Sequence, residues 1–153
     1  MKADTRLFGE IDIDEEKIIQ FEQGIIGFPD LQSFTLIYDE EKKGKGAISW
    51  LQSMDEPELA IPVMDPLLMY SGYNPTVEEE VLKTLGDLTE ENLFVLVTVT
   101  IPQKIEDIAI NLKAPMVINS DTRKAKQIIV EDDFPVKYKI YEQIKDGKGK
   151  TGE

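Results

Sequence analysis

The sequence has 153 residues, which suits one ordinary domain, with 41% hydrophobic and 8% aromatic residues. Asp and Glu total 30 against 17 Lys and Arg, which gives a formal net charge of −13. This charge repels phosphate backbones and anionic lipid, so it argues against direct binding to nucleic acid or to a membrane. It favours a basic protein partner, although acidity can also serve solubility alone.

The sequence contains neither cysteine nor histidine. Disulfides, thiolate or imidazole metal sites, and Ser-His-Asp or Cys-His nucleophiles are therefore excluded. A hydrolase built on two carboxylates stays open, but no pair among the 30 acids is marked by its context. The polar start and the lack of an apolar run near 20 residues predict a cytoplasmic protein. We expect no enzymatic activity, no cofactor and no metal.

Most of the chain is predicted to form short strands separated by turns. Gly24, Gly27 and Pro29 predict a tight turn in which the glycines supply the backbone dihedrals. Residues 39–46 are charged and bounded by glycine, which indicates an exposed hairpin loop. Apolar alternation or β-branched content predicts strands over 6–14, 18–21, 34–38, 47–53, 94–101, 107–112 and 126–130. The strand at 94–101 is apolar or Thr throughout, which predicts cover on both faces.

One helix is predicted, near 76–86. Thr76 can cap its N-terminus and Glu79 completes a Thr-x-x-Glu capping box, while Gly86 can end it. Short strands with one short helix indicate a mainly β, small, single-domain antiparallel β-barrel, either closed or split. The predicted domain covers 1–144, and the apolar-poor residues 145–153 are predicted to be a mobile polar tail.

Several ordered segments carry a family resemblance. They are Phe8-Gly9-Glu10-Ile11, the run Phe21 to Leu31 with Gly24-Ile25-Ile26-Gly27-Phe28-Pro29, Trp50-Leu51-Gln52-Ser53, Asp65-Pro66, and Asn111 to Asn119 followed by Ala125-Lys126-Gln127. In this order they resemble the FliW family of flagellar assembly factors. The resemblance implies a β-barrel-like domain that binds protein partners.

The implied partners are the RNA-binding translational repressor CsrA and flagellin. A FliW-like protein freed by flagellin export captures CsrA at a surface distinct from its RNA site, and flagellin translation then resumes. Antagonism of CsrA is allosteric in this scheme. The isolated protein is expected to be monomeric.

The expected contact residues are exposed carboxylates with two apolar anchors. They are Asp55, Glu56, Glu58, Glu78, Glu79, Glu90 and Glu91, with Met69 and Tyr70 as anchors. Phe8, Phe21, Phe28, Trp50 and Met64 are expected in the core instead, and Asn111 is expected to tie backbone at a loop or sheet corner.

Two other functions stay open on the sequence alone. One is a flavin-binding split-barrel oxidoreductase, although the predicted helix opens onto Glu78 to Glu80, which repels phosphate. Only Arg6 and Arg123 supply the guanidinium groups that such a cofactor favours. The other is an acidic module for an unrelated basic protein.

Overall fold

The computed structural model describes residues 2–5, 9–12, 17–38 and 48–143. Two strands, β1 (Lys2–Thr5) and β2 (Gly9–Asp12), form a separate two-stranded antiparallel sheet. The larger sheet contains β3 (Ile19–Phe21), β4 (Ser33–Tyr38), β5 (Ser49–Ser53), β6 (Ala60–Met64), β7 (Leu93–Thr100), β8 (Ala109–Ile110), β9 (Met116–Asn119), β10 (Lys124–Gln127) and β11 (Tyr138–Lys139).

Seven of these strands close a barrel, which confirms the predicted fold and selects the closed form. Neighbours run β7-β6-β5-β4-β3-β10-β9, and β9 pairs back onto β7 through residues 93–96 and 116–119. One pairing differs from the antiparallel prediction: β3 and β10 run parallel, with Phe21 opposite Ala125. Closure leaves these short strands with fewer exposed edges.

The barrel interior is filled by alternate side chains from its strands. Phe21, Phe34, Leu51 and Val63 are all fully buried, and the Phe21 and Phe34 rings meet edge to face at 5.5 Å. Burying each such side chain contributes about 1.5–3 kcal/mol. The period-two pattern seen in the sequence therefore reflects inward- and outward-facing positions.

A second core lies outside the barrel wall, against β7 and β8. Met64 is 1% exposed, as predicted, and packs with Val97, Ile110, Leu112 and other apolar residues. The strand predicted at 107–112 is reduced to two residues, because Ile105–Asp107 form a 3₁₀ turn. The strand predicted at 126–130 instead ends at Gln127.

The predicted double-sided cover of β7 is wrong at its N-terminal end. Leu93 is 41% exposed and Phe94 is 53% exposed, whereas Val97 and Val99 are buried. Core packing begins at Val95 and Leu96, which pack against the second core and the barrel core, so the two large apolar side chains before them face solvent.

The short helix near 76–86 is confirmed, but its predicted cap is wrong. The α-helix α1 covers Glu79–Leu82, and a 3₁₀ turn follows at Lys83–Leu85. Thr76 lies before the helix, and its N–H and Oγ1 bond to the Asp132 carboxylate at 2.9 and 3.2 Å. The carboxylate of Asp132, which is distant in sequence, therefore binds Thr76 in place of the predicted capping box. Gly86 ends the segment at φ +89°, which a glycine tolerates.

The glycine turn is confirmed, but Phe28 is not in the core. Gly24 has φ +69° and Gly27 has φ +91°, and a Cβ on Gly24 would lie 2.4 Å from the Pro29 carbonyl oxygen. The turn directs Ile25 inward at 4% exposure, and Phe28 outward at 40%. Trp50 is half-buried.

Other predicted features lie outside the described residues. These are the 6–8 and 13–14 portions of the first predicted strand, including Phe8, together with the loop 39–46 and the tail 145–153.

Candidate protein-binding surfaces

The barrel has two ends, and the predicted acidic residues are divided between them. Strands β5 and β7 run in the same direction, because each pairs antiparallel with β6. The loop after β5, which holds Asp55 to Glu58, is therefore at the opposite end from Glu90 and Glu91, which precede β7. We call these the Ser53 end and the Leu93 end. The predicted acids at 55–58 and at 90–91 therefore do not share one face.

At the Ser53 end, Asp55 has a clear structural role. Its Oδ2 accepts hydrogen bonds from the backbone N–H groups of Gln32 and Ser33 at 3.0 and 3.1 Å. The Asp55 carboxylate thereby ties the loop to the start of β4. Glu56 and Glu58 are exposed in the same loop.

At the Leu93 end, the segment that carries Glu90 and Glu91 is fixed by two buried amides. Asn119 is 0% exposed, and its Nδ2 donates to the carbonyls of Leu85 and Asp87 at 2.8 and 3.1 Å. Asn92 Nδ2 donates to the Asp87 carbonyl at 2.8 Å and to the Asp121 carboxylate at 3.0 Å. The chain from Leu85 to Asn92 is therefore held against the turn between β9 and β10.

Four of the predicted acids are exposed on this fixed segment or before it. Glu90 and Glu91 are exposed in the fixed segment just before β7, and Glu78 and Glu79 are exposed at the start of α1, which precedes that segment. We call these four residues the second acidic surface, the first being Glu56 and Glu58 at the Ser53 end. The second acidic surface adjoins the Leu93 end.

The two predicted apolar anchors are not free surface residues. Met69 is 6% exposed, so its expected surface position is wrong, and Tyr70 is half-buried. The Tyr70 ring packs edge to face on those of Tyr73, Phe134 and Tyr138, with centroids 5.2 to 6.2 Å apart. These ring contacts cover part of the apolar surface that we expected a partner to contact.

The preceding 3₁₀ turn exposes two other apolar side chains instead. It covers Pro66–Leu68 and begins at Asp65, whose side chain accepts from the Leu67 N–H. Leu67 is 56% exposed and Leu68 is 48% exposed. The Asp65-Pro66 pair in the sequence is typical of the start of such a turn. The tight period of the 3₁₀ turn decides which of its side chains face solvent.

These leucines border a groove of about 1090 Å³ at the Leu93 end, which we call the β7 groove. One part opens on the barrel interior and is lined by Leu36, Phe94 and Ile118. The other part lies outside the wall, between Val95 on β7 and Leu82 on α1. Its lining is mainly apolar, and it lies beside the second acidic surface.

Two cations lie on the lining of the β7 groove in this acidic chain. Arg123 Nη2 donates to the Lys17 carbonyl at 2.6 Å, and both residues line the groove. Arg123 Nε is buried and has no hydrogen-bond partner. Arg123 also has φ +62°, the one positive φ among the described non-glycine residues. Sequence reasoning named Arg123 only as a possible phosphate ligand.

A buried tyrosine stiffens the outer wall of the groove. Tyr73 OH donates to the Leu112 carbonyl at 2.6 Å. Burial, together with the nearby Asp132 charge, raises the pKa of Tyr73 to about 12, so it remains a neutral donor. The Thr76 backbone N–H holds the pKa of Asp132 below its ordinary value, so this carboxylate remains ionised.

Residues 2–5, 9–12, 17–38 and 48–143 contain neither a metal-binding cluster nor a membrane-spanning helix. No group of three or more His, Cys, Asp or Glu side chains there could hold a metal ion. Across the same residues, no helix is both long enough and apolar enough to cross a bilayer.

Comparison with known proteins finds relatives that match nearly the whole chain. The family model for the FliW protein matches residues 2–140. The flagellar assembly factor FliW of Lachnoclostridium phytofermentans is 44% identical over 151 residues, covering 97% of each chain. That of Lachnospira eligens is 46% identical, covering 95% of this chain and 97% of the relative.

A solved structure supports the same relationship. The crystal structure of the flagellar assembly factor FliW superposes with a TM-score of 0.82 at 30% identity, covering 92% of this chain and 96% of that one. These matches extend over nearly the whole chain, and the chain belongs to the FliW family of flagellar assembly factors.

Proposed function

We propose that this chain is a non-enzymatic, cytoplasmic protein-binding regulator that alternates between CsrA and flagellin. It antagonises the repressor CsrA allosterically and is sequestered by flagellin, which couples flagellin export to flagellin translation. The observation that carries the proposal is the relationship to flagellar assembly factors over 97% of the chain. No direct contact with nucleic acid or membrane is part of it.

The charge of the chain supports the antagonism of CsrA physically. An RNA-binding protein presents basic surface to phosphates, and a carboxylate-rich partner is attracted to such a surface. Once docked beside the RNA site, a protein of net charge −13 repels incoming phosphates and slows RNA association. Direct overlap with the RNA site is not needed.

The second acidic surface is the better placed of the two for this role. Glu90 and Glu91 are exposed on the segment from Leu85 to Asn92, which Asn119 and Asn92 hold in place, and Glu78 and Glu79 are exposed at the start of α1 before it. Rigid charges lose less conformational entropy on binding than mobile ones do. We propose Glu56 and Glu58 at the Ser53 end as a separate contact.

Co-elution from a sizing column tests the proposal. The purified chain, expected to run as a monomer alone, is mixed with CsrA and with flagellin in separate runs. Co-elution with each is expected, and failure to co-elute with either partner contradicts the switch. A visible-absorbance spectrum of the same native protein tests its non-enzymatic character, since a stoichiometric flavin would contradict it.

Paired charge reversals test which end binds CsrA. Glu90→Lys with Glu91→Lys changes the charge at the Leu93 end, and Glu56→Lys with Glu58→Lys makes the same change at the Ser53 end. The first pair should weaken CsrA binding more and reduce its salt dependence. Equal effects from both pairs would show that net charge alone, without the second acidic surface, governs binding.

A further inference from the structure

We infer that CsrA docks by adding one extended segment to an open edge of β7, where it forms an extra strand beside Val95. The segment is a short apolar run that ends in Lys or Arg. The inference deepens the proposed function and rests on it, because it takes CsrA as the basic partner. Addition of a strand to an unpaired sheet edge is a general mode of peptide recognition.

Strand β7 is paired along the whole of one edge but only in part along the other. On the first edge, β9 pairs with residues 93–96 and β8 pairs with Val99 and Thr100. On the second edge, β6 pairs only with Val97 and Thr98. Within the described part of the chain, residues 93–96 therefore have no neighbouring strand on the β6 side. We call this stretch the open edge.

Pro66 explains why β6 does not cover the open edge. Met64 lies opposite Val97, so a longer β6 would place Pro66 opposite Val95. Proline has no N–H to donate to a sheet. The Pro66 carbonyl already accepts from the N–H groups of Met69 and Tyr70 at 3.1 and 2.9 Å, inside the 3₁₀ turn and just after it. The chain therefore leaves the sheet at this point.

The hydrogen bonds on either side of the open edge show which backbone groups face it. Successive residues of a strand direct their N–H and C=O groups to alternate edges. The Asn92 carbonyl accepts from the Ser120 N–H at 2.9 Å, and the Thr98 carbonyl accepts from the Asn111 N–H at 3.0 Å. Even-numbered residues therefore bond towards β8 and β9, and odd-numbered residues of β7 face the other edge.

Three backbone groups consequently point into the open edge. They are the N–H and C=O of Val95 and the C=O of Leu93, and none of them has a partner among the described residues. The Leu93 N–H is engaged, because it donates to the Thr89 carbonyl at 3.1 Å. A strand laid beside Val95 would satisfy all three groups, since one residue opposite Val95 exchanges two bonds with it.

The missing strand also explains why the β7 groove has two parts. The open edge is a gap in the barrel wall, with Leu36 and Ile118 on the inner side and Leu82 on the outer side. A strand that fills the gap places alternate side chains in the two parts. Because both parts are mainly apolar, the added strand is apolar at successive positions.

The charge beside the open edge selects the basic partner. Exposed Glu90 and Glu91 directly precede β7, so the end of an added strand beside Leu93 meets carboxylates. Arg123 also lines the groove, but it lies in the β9–β10 turn, across β9 from the open edge, and its Nη2 is bonded to the Lys17 carbonyl. Lys or Arg after the apolar run is therefore complementary. An RNA-binding protein such as CsrA is rich in these residues.

Amide exchange at single residues tests strand addition directly. The full chain, labelled with ¹⁵N, is followed by NMR alone, with purified CsrA and with purified flagellin. The N–H groups of Phe94 and Leu96, which face β9, serve as internal controls and should exchange slowly throughout. The Val95 N–H should exchange fast in the free chain and at least about tenfold more slowly with CsrA. An unchanged Val95 rate in a complex with CsrA, or slowing by flagellin alone, overturns the inference.

A proline at position 95 tests whether the Val95 N–H itself is used. Val95→Pro removes this donor but none of the bonds to β9, and the strand conformation of Phe94 suits a residue before proline. Val95→Ala is the matched control, because it shortens the side chain but keeps the N–H. We expect Val95→Pro to weaken CsrA binding at least about tenfold more than Val95→Ala does. Slow exchange of Phe94 and Leu96 in both variants verifies that the barrel is intact.

The outcomes separate this inference from the proposed function. If the unaltered chain binds CsrA but Val95→Pro and Val95→Ala weaken it equally, strand addition fails while the regulator survives. If the unaltered chain does not bind CsrA, the proposed function fails and the strand inference fails with it.

Discussion

Replacing Asn119 by alanine should destabilise the protein by removing four hydrogen bonds from one fully buried side chain. Besides the two bonds from Nδ2 to Leu85 and Asp87, its Oδ1 accepts from the backbone N–H groups of Asp121 and Thr122 at 2.9 and 3.2 Å. The side chain thus organises the β9–β10 turn and holds the segment after α1. The β9–β10 turn and the segment that carries Glu90 and Glu91 therefore depend on this anchor.

The expected cost follows from the number of bonds. A hydrogen bond contributes about 0.5–1.5 kcal/mol net, and buried groups left without a partner cost more. Since solvent can reach some of the freed groups, we expect Asn119→Ala to lower the free energy of unfolding by about 3 kcal/mol. For a protein of this size, the midpoint of thermal unfolding should fall by about 6–12 °C.

Urea unfolding followed through the single tryptophan, Trp50, measures this cost. Asn74→Ala is the control, since Asn74 is exposed. A loss below about 0.5 kcal/mol for Asn119→Ala, the range of ordinary surface substitutions, would refute this account of the anchor.

Two further predictions concern the glycine turn and the buried tyrosine. Gly27→Ala should lower the free energy of unfolding by about 1 kcal/mol, because of its positive φ alone. Gly24→Ala should lower it by about 3 kcal/mol, because its Cβ also meets the Pro29 backbone. Equal losses for the two variants in urea unfolding would contradict the steric contact. The pKa of Tyr73, about 12 in the fold, exceeds its ordinary value of 10.0, so the folded state keeps its proton where the unfolded state releases it. The stability contributed by Tyr73 is full below pH 10 and should be lost as pH rises towards 12. Thermal unfolding at pH 9 to 11.5 should show less of this loss in Tyr73→Phe, and an identical pH profile for both proteins would contradict the assignment.

Features that depend on local chemistry were predictable from the sequence. Gly24 and Gly27 supply positive φ because no side chain hinders them, and the nearby pattern needs no tertiary information. The Asn111 prediction is confirmed for the same reason, since its Oδ1 accepts from the N–H groups of Lys113 and Ala114, two and three residues on. Alternation likewise indicated a barrel of short strands.

Features set by distant partners were not predictable from local pattern. Barrel closure depends on β9 pairing back to β7, and the parallel β3–β10 pair joins segments about a hundred residues apart. Thr76 has the sequence of a helix cap, but Asp132, 56 residues away, takes its donors. A single chain gives no signal for such long-range competition.

Some properties of the candidate contact residues were also predictable from local sequence, and others required the fold. Exposure of the charged residues was predictable, because ionised carboxylates are costly to bury. The division of those residues between two barrel ends required the topology. Met69 is buried while Leu67 and Leu68 are exposed, because a 3₁₀ turn has a tighter period than sequence alone reveals.

Release of RNA from CsrA tests the central claim most directly. The chain is titrated into a complex of CsrA with a fluorescent RNA from a flagellin transcript, and RNA anisotropy is followed. We predict that RNA is released as the chain is added and is bound again when flagellin is then supplied. Unchanged anisotropy throughout the titration, with CsrA shown to be active, would contradict the account.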